Sequence, residues 1–128
     1  FLPGVAGTYL DEVTSDPNFA ARVNLWPFSY GSSQGMLLKP DGITPAYTSQ
    51  AGYHVVTNGI FANHGMTSGA NPFNFYGGFE DYLVNNEGYT LGKDLVEFPY
   101  DWRLDNQIHL AELDHLVNQV DPPQDNPR

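Results

Sequence analysis

Residues 93–105 read Lys-Asp-Leu-Val-Glu-Phe-Pro-Tyr-Asp-Trp-Arg-Leu-Asp, a short apolar run that ends in a dense cluster of aromatic and charged side chains. The run Leu95 to Phe98 has about the length of a β-strand, and only Glu97 interrupts it, as in strands that are covered on both faces. Pro99 has no backbone N–H and therefore ends the pairing. The pattern predicts a buried strand over residues 93–100, followed at once by a polar turn.

A helix is predicted to follow this turn. Asp105 suits its N-cap, because an Asp side chain accepts hydrogen bonds from the free N–H groups of the first helical turn. The apolar residues that then define the helix are Ile108, Leu110, Leu113, Leu116, Val117 and Val120. Strand, turn and helix are half of a βαβ unit, and in open α/β sheets the ligand crevice lies outside the carboxyl ends of the strands. The residues expected beside a functional site are Tyr100, Asp101, Trp102 and Arg103.

Three further elements are predicted upstream of this unit. Residues 1–8 (Phe-Leu-Pro-Gly-Val-Ala-Gly-Thr) are predicted to end a buried strand and enter a glycine-containing turn, whose backbone N–H groups form an oxyanion hole or bind nothing. Residues 53–57 are predicted to form a short strand. Aromatic and apolar residues at helical spacing over 75–83 predict a helix with a core-facing stripe, which ends at residues 85–88 (Asn-Asn-Glu-Gly).

A long irregular segment separates the first predicted strand from the later helix, strand and helix. Glycine and proline interrupt any period between residues 25 and 45, yet Trp26, Met36 and several other apolar residues give this segment surface to bury. We therefore expect a packed excursion, of the kind that often serves as a lid or binding loop. The order of elements predicts one α/β domain with no internal boundary.

Composition limits the partners of this chain. Fifteen acidic and five basic residues among 128 give a formal net charge of −10, which disfavours nucleic acid and anionic membrane surfaces as partners. No run of 18 apolar residues is present, so no transmembrane helix is predicted. The absence of cysteine leaves no disulfide framework and no thiolate chemistry. The chain begins without Met and ends on a proline-containing linker, and we expect it to be a piece of a longer protein.

No metal site or cofactor is predicted. Asp11, Glu12 and Asp16 lack the ligand pattern and the glycine of an EF-hand loop, and we expect them on a solvated surface. His54 and His64 lie ten positions apart without a third ligand in a recognisable pattern.

Two motifs together resemble one protein family. Residues 2–8 (Leu-Pro-Gly-Val-Ala-Gly-Thr) and residues 82–89 (Tyr-Leu-Val-Asn-Asn-Glu-Gly-Tyr), the latter leading into 98–104 (Phe-Pro-Tyr-Asp-Trp-Arg-Leu), are similar to the lecithin:cholesterol acyltransferase family of α/β-hydrolases. The Pro-Tyr-Asp-Trp-Arg run with its preceding Asn-Asn-x-Gly-Tyr is the more specific part. The resemblance covers both ends of the chain well and residues 10–70 poorly. It implies that residues 1–128 are the amino-terminal part of an α/β-hydrolase domain.

The resemblance also implies a chemistry. The family transfers acyl groups with a Ser-Asp-His triad whose serine lies on a strand-to-helix elbow. That elbow is expected beyond Arg128, since the chain has no Gly-x-Ser-x-Gly, so the chain alone is predicted to be inactive. His109 and His115 are expected to be partly exposed helix residues rather than the triad histidine. The residue after Pro-Gly, here Val5, is implied to donate its backbone N–H to the oxyanion hole.

Roles for the other candidate residues stay open at this stage. Arg103 is expected to pair with Asp101 or Glu97 and lock the turn, or to contact substrate. Trp102 is expected to be a core residue or a wall of an acyl pocket. The excursion that starts at Trp26 is the place where a lid is expected, and without cysteine its packing alone must hold it.

The resemblance implies an ester or lipid substrate, no cofactor, the remainder of its own chain as a partner, and a secreted or extracytoplasmic location. An alternative from another class is a non-catalytic module that binds carbohydrate on aromatic rings of its loops. The rings considered for it are Trp26, Tyr30, Tyr47, Tyr53 and Phe73. Solvent exposure distinguishes the two interpretations. A binding module presents a row of accessible aromatic rings, whereas part of a hydrolase leaves an apolar face of its sheet uncovered.

Overall fold

The computed structural model describes residues 1–27, 33–48, 51–62 and 73–121. Its regular elements, in chain order, are strands β1 (Thr8–Val13), β2 (Arg22–Trp26) and β3 (His54–Ile60), then helices α1 (Gly77–Asn86) and α2 (Leu110–Val120). Two 3₁₀ turns, Ser33–Met36 and Asn106–His109, lie between them, the second running directly into α2.

The three strands form one antiparallel sheet in the order β2-β1-β3. The register shifts on both sides of β1, between Leu10 and Asp11 against β2 and between Thr8 and Leu10 against β3. Such bulges bend and twist a strand. Leu10, in the middle of β1, is fully buried, and Ile60 at the end of β3 and Phe61 just after it are nearly so.

Several predicted elements are confirmed. The strand expected at residues 53–57 is β3. Helix α1 ends where residues 85–88 predict its end: the N–H groups of Glu87 and Tyr89 donate to the Leu83 carbonyl, and Gly88 adopts a positive φ of 79°. Asp105 caps the turn that leads into α2, because its Oδ1 accepts a hydrogen bond of 2.9 Å from the N–H of Gln107.

The strand predicted over residues 93–100 is wrong in its extent. The N–H groups of Lys93, Asp94 and Leu95 all point back to the Thr90 carbonyl, so this part is coiled into a turn. Residues 96–98 do run beside the chain start: the amino group of Phe1 donates to the Val96 carbonyl at 2.6 Å, and the Phe98 N–H donates to the Phe1 carbonyl at 3.0 Å.

This pattern of bonds is that of parallel neighbours. It ends within three residues because Pro3 carries no N–H to extend the ladder, and the next donor along the other segment, the Tyr100 N–H, bonds to Thr8 Oγ1 instead. The strand predicted at the chain start is accordingly limited to this short pairing, and the first regular strand begins only at Thr8.

The acidic residues of β1 correct a second expectation. Asp11 and Glu12 are 2% and 1% exposed, whereas the sequence predicted a solvated surface. Asp11 can be buried because its carboxylate accepts hydrogen bonds from Arg22 (2.5 Å), Asn24 (3.1 Å) and Asn58 (2.7 Å). Burial of a charge is tolerated when it is paired and hydrogen-bonded, and here both neighbouring strands supply the donors.

The aromatic stripe of α1 contradicts a third expectation. It was expected in the core, but Phe75, Phe79 and Tyr82 are each at least half exposed. Phe79 contacts the ring of Phe1, with 5.7 Å between ring centroids, and helix α1 itself buries only Gly77 and Glu80. The described residues therefore supply too little apolar surface to cover this stripe.

A pair of glycine substitutions tests the packing of the chain start on α1. A Cβ on Gly7 lies 2.8 Å from a ring carbon of Tyr76 and overlaps its hydroxyl, whereas a Cβ on Gly78 meets nothing within 4 Å. We expect Gly7→Ala to lower the free energy of unfolding by about 1–3 kcal/mol. Gly78→Ala should raise it by less than about 1 kcal/mol, because alanine favours the helix. Urea denaturation measures both, and equal effects of the two substitutions contradict this packing.

Candidate functional site

Residues 4–7 form a tight turn between the chain start and β1. The Gly7 N–H donates to the Gly4 carbonyl at 3.0 Å, and Ala6 has a positive φ of 65°, which together fit a type II turn. Val5 occupies the second position of the turn and is 77% exposed. The N–H groups of Val5 and Ala6 donate to no other described residue, so they are available to a ligand oxygen.

Three elements fix this turn in place. The Tyr76 hydroxyl accepts a hydrogen bond of 3.0 Å from the Gly4 N–H. The Trp26 indole N–H donates to the Ala6 carbonyl at 2.9 Å, and the Gly7 carbonyl accepts from Phe61 at 2.9 Å. The backbone donors of the turn are thus held by contacts that come from the residues before α1, from the end of β2 and from the residue after β3.

The segment 100–103 packs directly against the turn and β1. Thr8 Oγ1 accepts from the Tyr100 N–H at 3.3 Å, and the Thr8 carbonyl lies 3.4 Å from the indole nitrogen of Trp102. Trp102 also meets Trp26 edge to face, with ring centroids 5.3 Å apart. The two motifs that lie at opposite ends of the sequence are therefore in contact.

Asp101 and Arg103 form a closed fork. Arg103 Nε donates to Asp101 Oδ1 at 2.9 Å and Nη2 donates to Oδ2 at 2.6 Å. A third bond, from Nη1 to the Gly35 carbonyl at 3.2 Å, ties the fork to the excursion. The predicted pairing of Arg103 with Asp101 is confirmed, and both side chains are largely buried, at 5% and 15% exposed.

His109 is a residue at this site whose role the sequence did not indicate. Its side chain is only 12% exposed, and Nε2 lies 3.0 Å from the Asp101 carbonyl. A carbonyl oxygen only accepts, so Nε2 carries the proton. The ring packs edge to face on Tyr100, which is itself 9% exposed and acts as a core residue. The expectation that His109 is a partly exposed helix residue is confirmed, and its ring nitrogen in addition holds the backbone of Asp101.

A cavity of about 330 Å³ opens beside the fork. Its walls come from three parts of the chain: the excursion at residues 43–48, the residues around the start of β3, and the turn that holds Asp101 and Arg103. A second apolar groove lies under α2, where two adjoining cavities of about 220 and 150 Å³ share Leu2, Phe98 and Leu113.

Asp41 holds the loop that forms the excursion wall of the first cavity. Its carboxylate accepts from the Thr44 hydroxyl at 2.6 Å and from the N–H groups of Ile43 and Thr44 at 2.9 and 2.8 Å. These bonds, that of the Thr44 hydroxyl first, lower the pKa of Asp41 from 3.8 to about 2. Because the folded pKa lies below the unfolded one, the ionised carboxylate supports the loop above about pH 4 and loses this effect only as the pH falls toward 2.

No family model, curated protein or solved structure matches the chain.

Exposure separates the rings considered for a carbohydrate-binding surface. Tyr53 is buried, with its hydroxyl donating to the Ala20 carbonyl at 2.6 Å, and Trp26 is partly buried against Trp102. Tyr47 is 56% exposed, Phe73 is partly buried, and Tyr30 lies outside the described residues. The four described rings therefore do not form the accessible row that such a surface requires.

The described residues hold neither a metal-ion cluster nor a membrane-spanning helix. Within the described ranges, no cluster of three or more His, Asp or Glu side chains is suited to hold a metal ion, and His64 lies outside those ranges. In the same part of the chain, no helix has both the length and the apolar character needed to cross a bilayer.

Proposed function

We propose that this chain is the amino-terminal part of an α/β-hydrolase, a serine esterase, lipase or O-acyltransferase similar to the lecithin:cholesterol acyltransferase family. The observation that carries the proposal is the turn at residues 4–7, which offers the N–H groups of Val5 and Ala6 to solvent while three neighbouring segments hold it rigid. Preorganised backbone donors of this kind stabilise the oxyanion of acyl transfer.

The turn has a defined part in the reaction. A serine hydroxyl attacks the ester carbonyl and gives its proton to the triad histidine, and the carbonyl oxygen then carries negative charge. The Val5 N–H donates to that oxygen. Because the donor belongs to the backbone, its position depends on the turn and not on the valine side chain. The serine, its histidine and the acid are expected beyond Arg128.

Segment 100–103 supports this site from the side. Trp102 lies against Trp26 and the Thr8 carbonyl, where it stiffens the strand that follows the turn and where its ring is available as a wall for an acyl chain. The fork between Asp101 and Arg103 fixes the backbone around Trp102, and we assign it a positioning role. The substrate class is an ester, with lipid esters included.

The remainder of the same protein is the partner that the surface of this chain favours. Helix α2 is amphipathic, yet none of its residues is buried. Its uncovered apolar residues include Leu110, Val117 and Val120, and the groove beneath it is lined by Leu2 and Phe98. Further strands of an α/β sheet would cover both the groove and the stripe of α1.

A serine-directed fluorophosphonate probe tests the proposal. The 128-residue chain should remain unlabelled and should hydrolyse no short-chain nitrophenyl ester. The same chain extended by its native continuation should be labelled on one serine and should hydrolyse the ester. Labelling of the 128-residue chain contradicts the assignment of the nucleophile to a later segment. An extended chain that folds but takes no label contradicts the hydrolase assignment itself.

A further inference from the structure

Arg103 has donor capacity that its fork does not use. A guanidinium carries five N–H groups, and the bonds to Asp101 and to the Gly35 carbonyl account for three of them. The other two, one on Nη1 and one on Nη2, donate to no described residue. The side chain is only 5% exposed and lines the cavity of about 330 Å³. Buried donors require a partner, and an oxygen within the cavity can supply it.

The charge of the fork itself does not favour an anion as the partner of Arg103. The Asp101 carboxylate already neutralises the Arg103 guanidinium at 2.6 and 2.9 Å, and the chain as a whole carries a formal net charge of −10. A phosphate or carboxylate would therefore meet no net positive charge from this pair. A neutral ligand needs no net positive charge at its site, so the fork suits it better than an anion.

The walls present donors and acceptors side by side, next to carbon surface. The fork offers the unused N–H groups together with carboxylate oxygens that can accept further hydrogen bonds. Thr44 and Thr48 add hydroxyl groups at the excursion wall, and His54 adds an imidazole ring at the start of β3. The apolar part of the lining consists of Ile43, Pro45, Tyr53, Val55 and Leu104. Vicinal hydroxyls both donate and accept, and they leave C–H surface that packs on such walls.

We propose that this cavity binds a neutral polyhydroxylated ligand, a sugar ring or a similar polyol, and that Asp101 and Arg103 recognise its hydroxyls. The cavity lies at the lower end of the size range for small-molecule sites and has room for roughly ten waters, which suits a single ring. This site does not depend on the proposed acyl-transfer function, since it involves neither the turn at residues 4–7 nor the groove under α2.

Titration of the ¹⁵N-labelled 128-residue chain with glucose, galactose, mannose and glycerol tests the proposal, with acetate as an anionic comparison. We expect at least one polyol to give saturable shift changes at residues 43–48, 53–55 and 101–104, with a dissociation constant of about 1–10 mM. Acetate should give none there. Absence of saturable changes with every polyol up to about 100 mM overturns the proposal, as does preferential binding of acetate.

A matched pair of variants locates the site. Ile43 and Ile108 are both exposed isoleucines, but only Ile43 lines the cavity. Ile43→Trp should fill the cavity and weaken polyol binding at least tenfold, whereas Ile108→Trp should leave it unchanged. Equal affinity in the two variants overturns the assignment to this cavity. Circular dichroism confirms that both variants keep the fold.

Discussion

Replacing Val5 with proline should lower kcat/KM for ester hydrolysis roughly 10²–10³-fold, which is the typical cost of removing one oxyanion-hole donor. The measurement requires the polypeptide that includes the nucleophile. Proline removes the N–H of residue 5, and the second position of a type II turn is the position where proline is favoured. The turn at residues 4–7 should therefore keep its shape while it loses the donor.

Val5→Ala is the matched control for this experiment. It shortens a side chain that is 77% exposed and keeps the N–H, so kcat/KM should stay within about twofold of the parent. The urea midpoints of both variants should match the parent, because neither substitution removes a hydrogen bond that the turn itself uses. Equal activity of the proline and alanine variants contradicts a role for the Val5 N–H.

Replacing Arg103 with alanine should lower the free energy of unfolding of the 128-residue chain by about 3–5 kcal/mol, the usual cost of breaking a buried ion pair. The substitution leaves the carboxylate of Asp101, which is 15% exposed, without its partner and also removes the bond to the Gly35 carbonyl. Urea denaturation followed by tryptophan fluorescence measures this loss and also reports on Trp102, which lies beside the fork.

Arg22→Ala is the comparison that isolates burial. Arg22 also pairs with an aspartate, Asp11, but its side chain is 51% exposed. Asp11 keeps two amide donors, Asn24 and Asn58, when the guanidinium is removed. We therefore expect a loss of no more than about 1 kcal/mol. If the two arginine variants lose equal stability, the fork is not the buried lock that its geometry indicates.

Local patterns were sufficient to predict the helices and to name Asp101 as one of two candidate ion-pair partners of Arg103. The apolar spacing of α2, the capping residue Asp105 and the glycine that ends α1 all act within a few residues of where they occur in the sequence. The fork joins side chains only two positions apart. Such local patterns can be recognised in the sequence without knowing the rest of the fold.

The failed predictions depended on distant partners. Asp11 is buried only because donors from β2 and β3 reach it, and an isolated acidic residue in a sequence gives no sign of them. Residues 96–98 look like a strand, but the neighbour that the structure provides is Phe1, and Pro3 ends that pairing almost at once. The contact between Thr8 and Tyr100 spans 92 positions, and only the resemblance suggested that these motifs belong together.

Exposure of the α1 stripe shows a related limit. Helical spacing correctly predicted a helix, but the depth to which its aromatic face is buried depends on which elements pack against it. Phe79 contacts the ring of Phe1, yet among the described residues Phe79 and Tyr82 both stay half exposed. In α2, too, helical spacing predicted the helix but not its burial: its apolar side lines an open groove.

The coding sequence that follows Arg128 provides the most direct test of the central claim. If this chain is the oxyanion-hole part of a serine hydrolase, a short apolar strand and a Gly-x-Ser-x-Gly elbow should follow within about 20 residues, because in that fold a helix in the place proposed for α2 is followed by the strand that precedes the elbow. A continuation without such a serine, or a stop codon directly after Arg128, contradicts the hydrolase assignment.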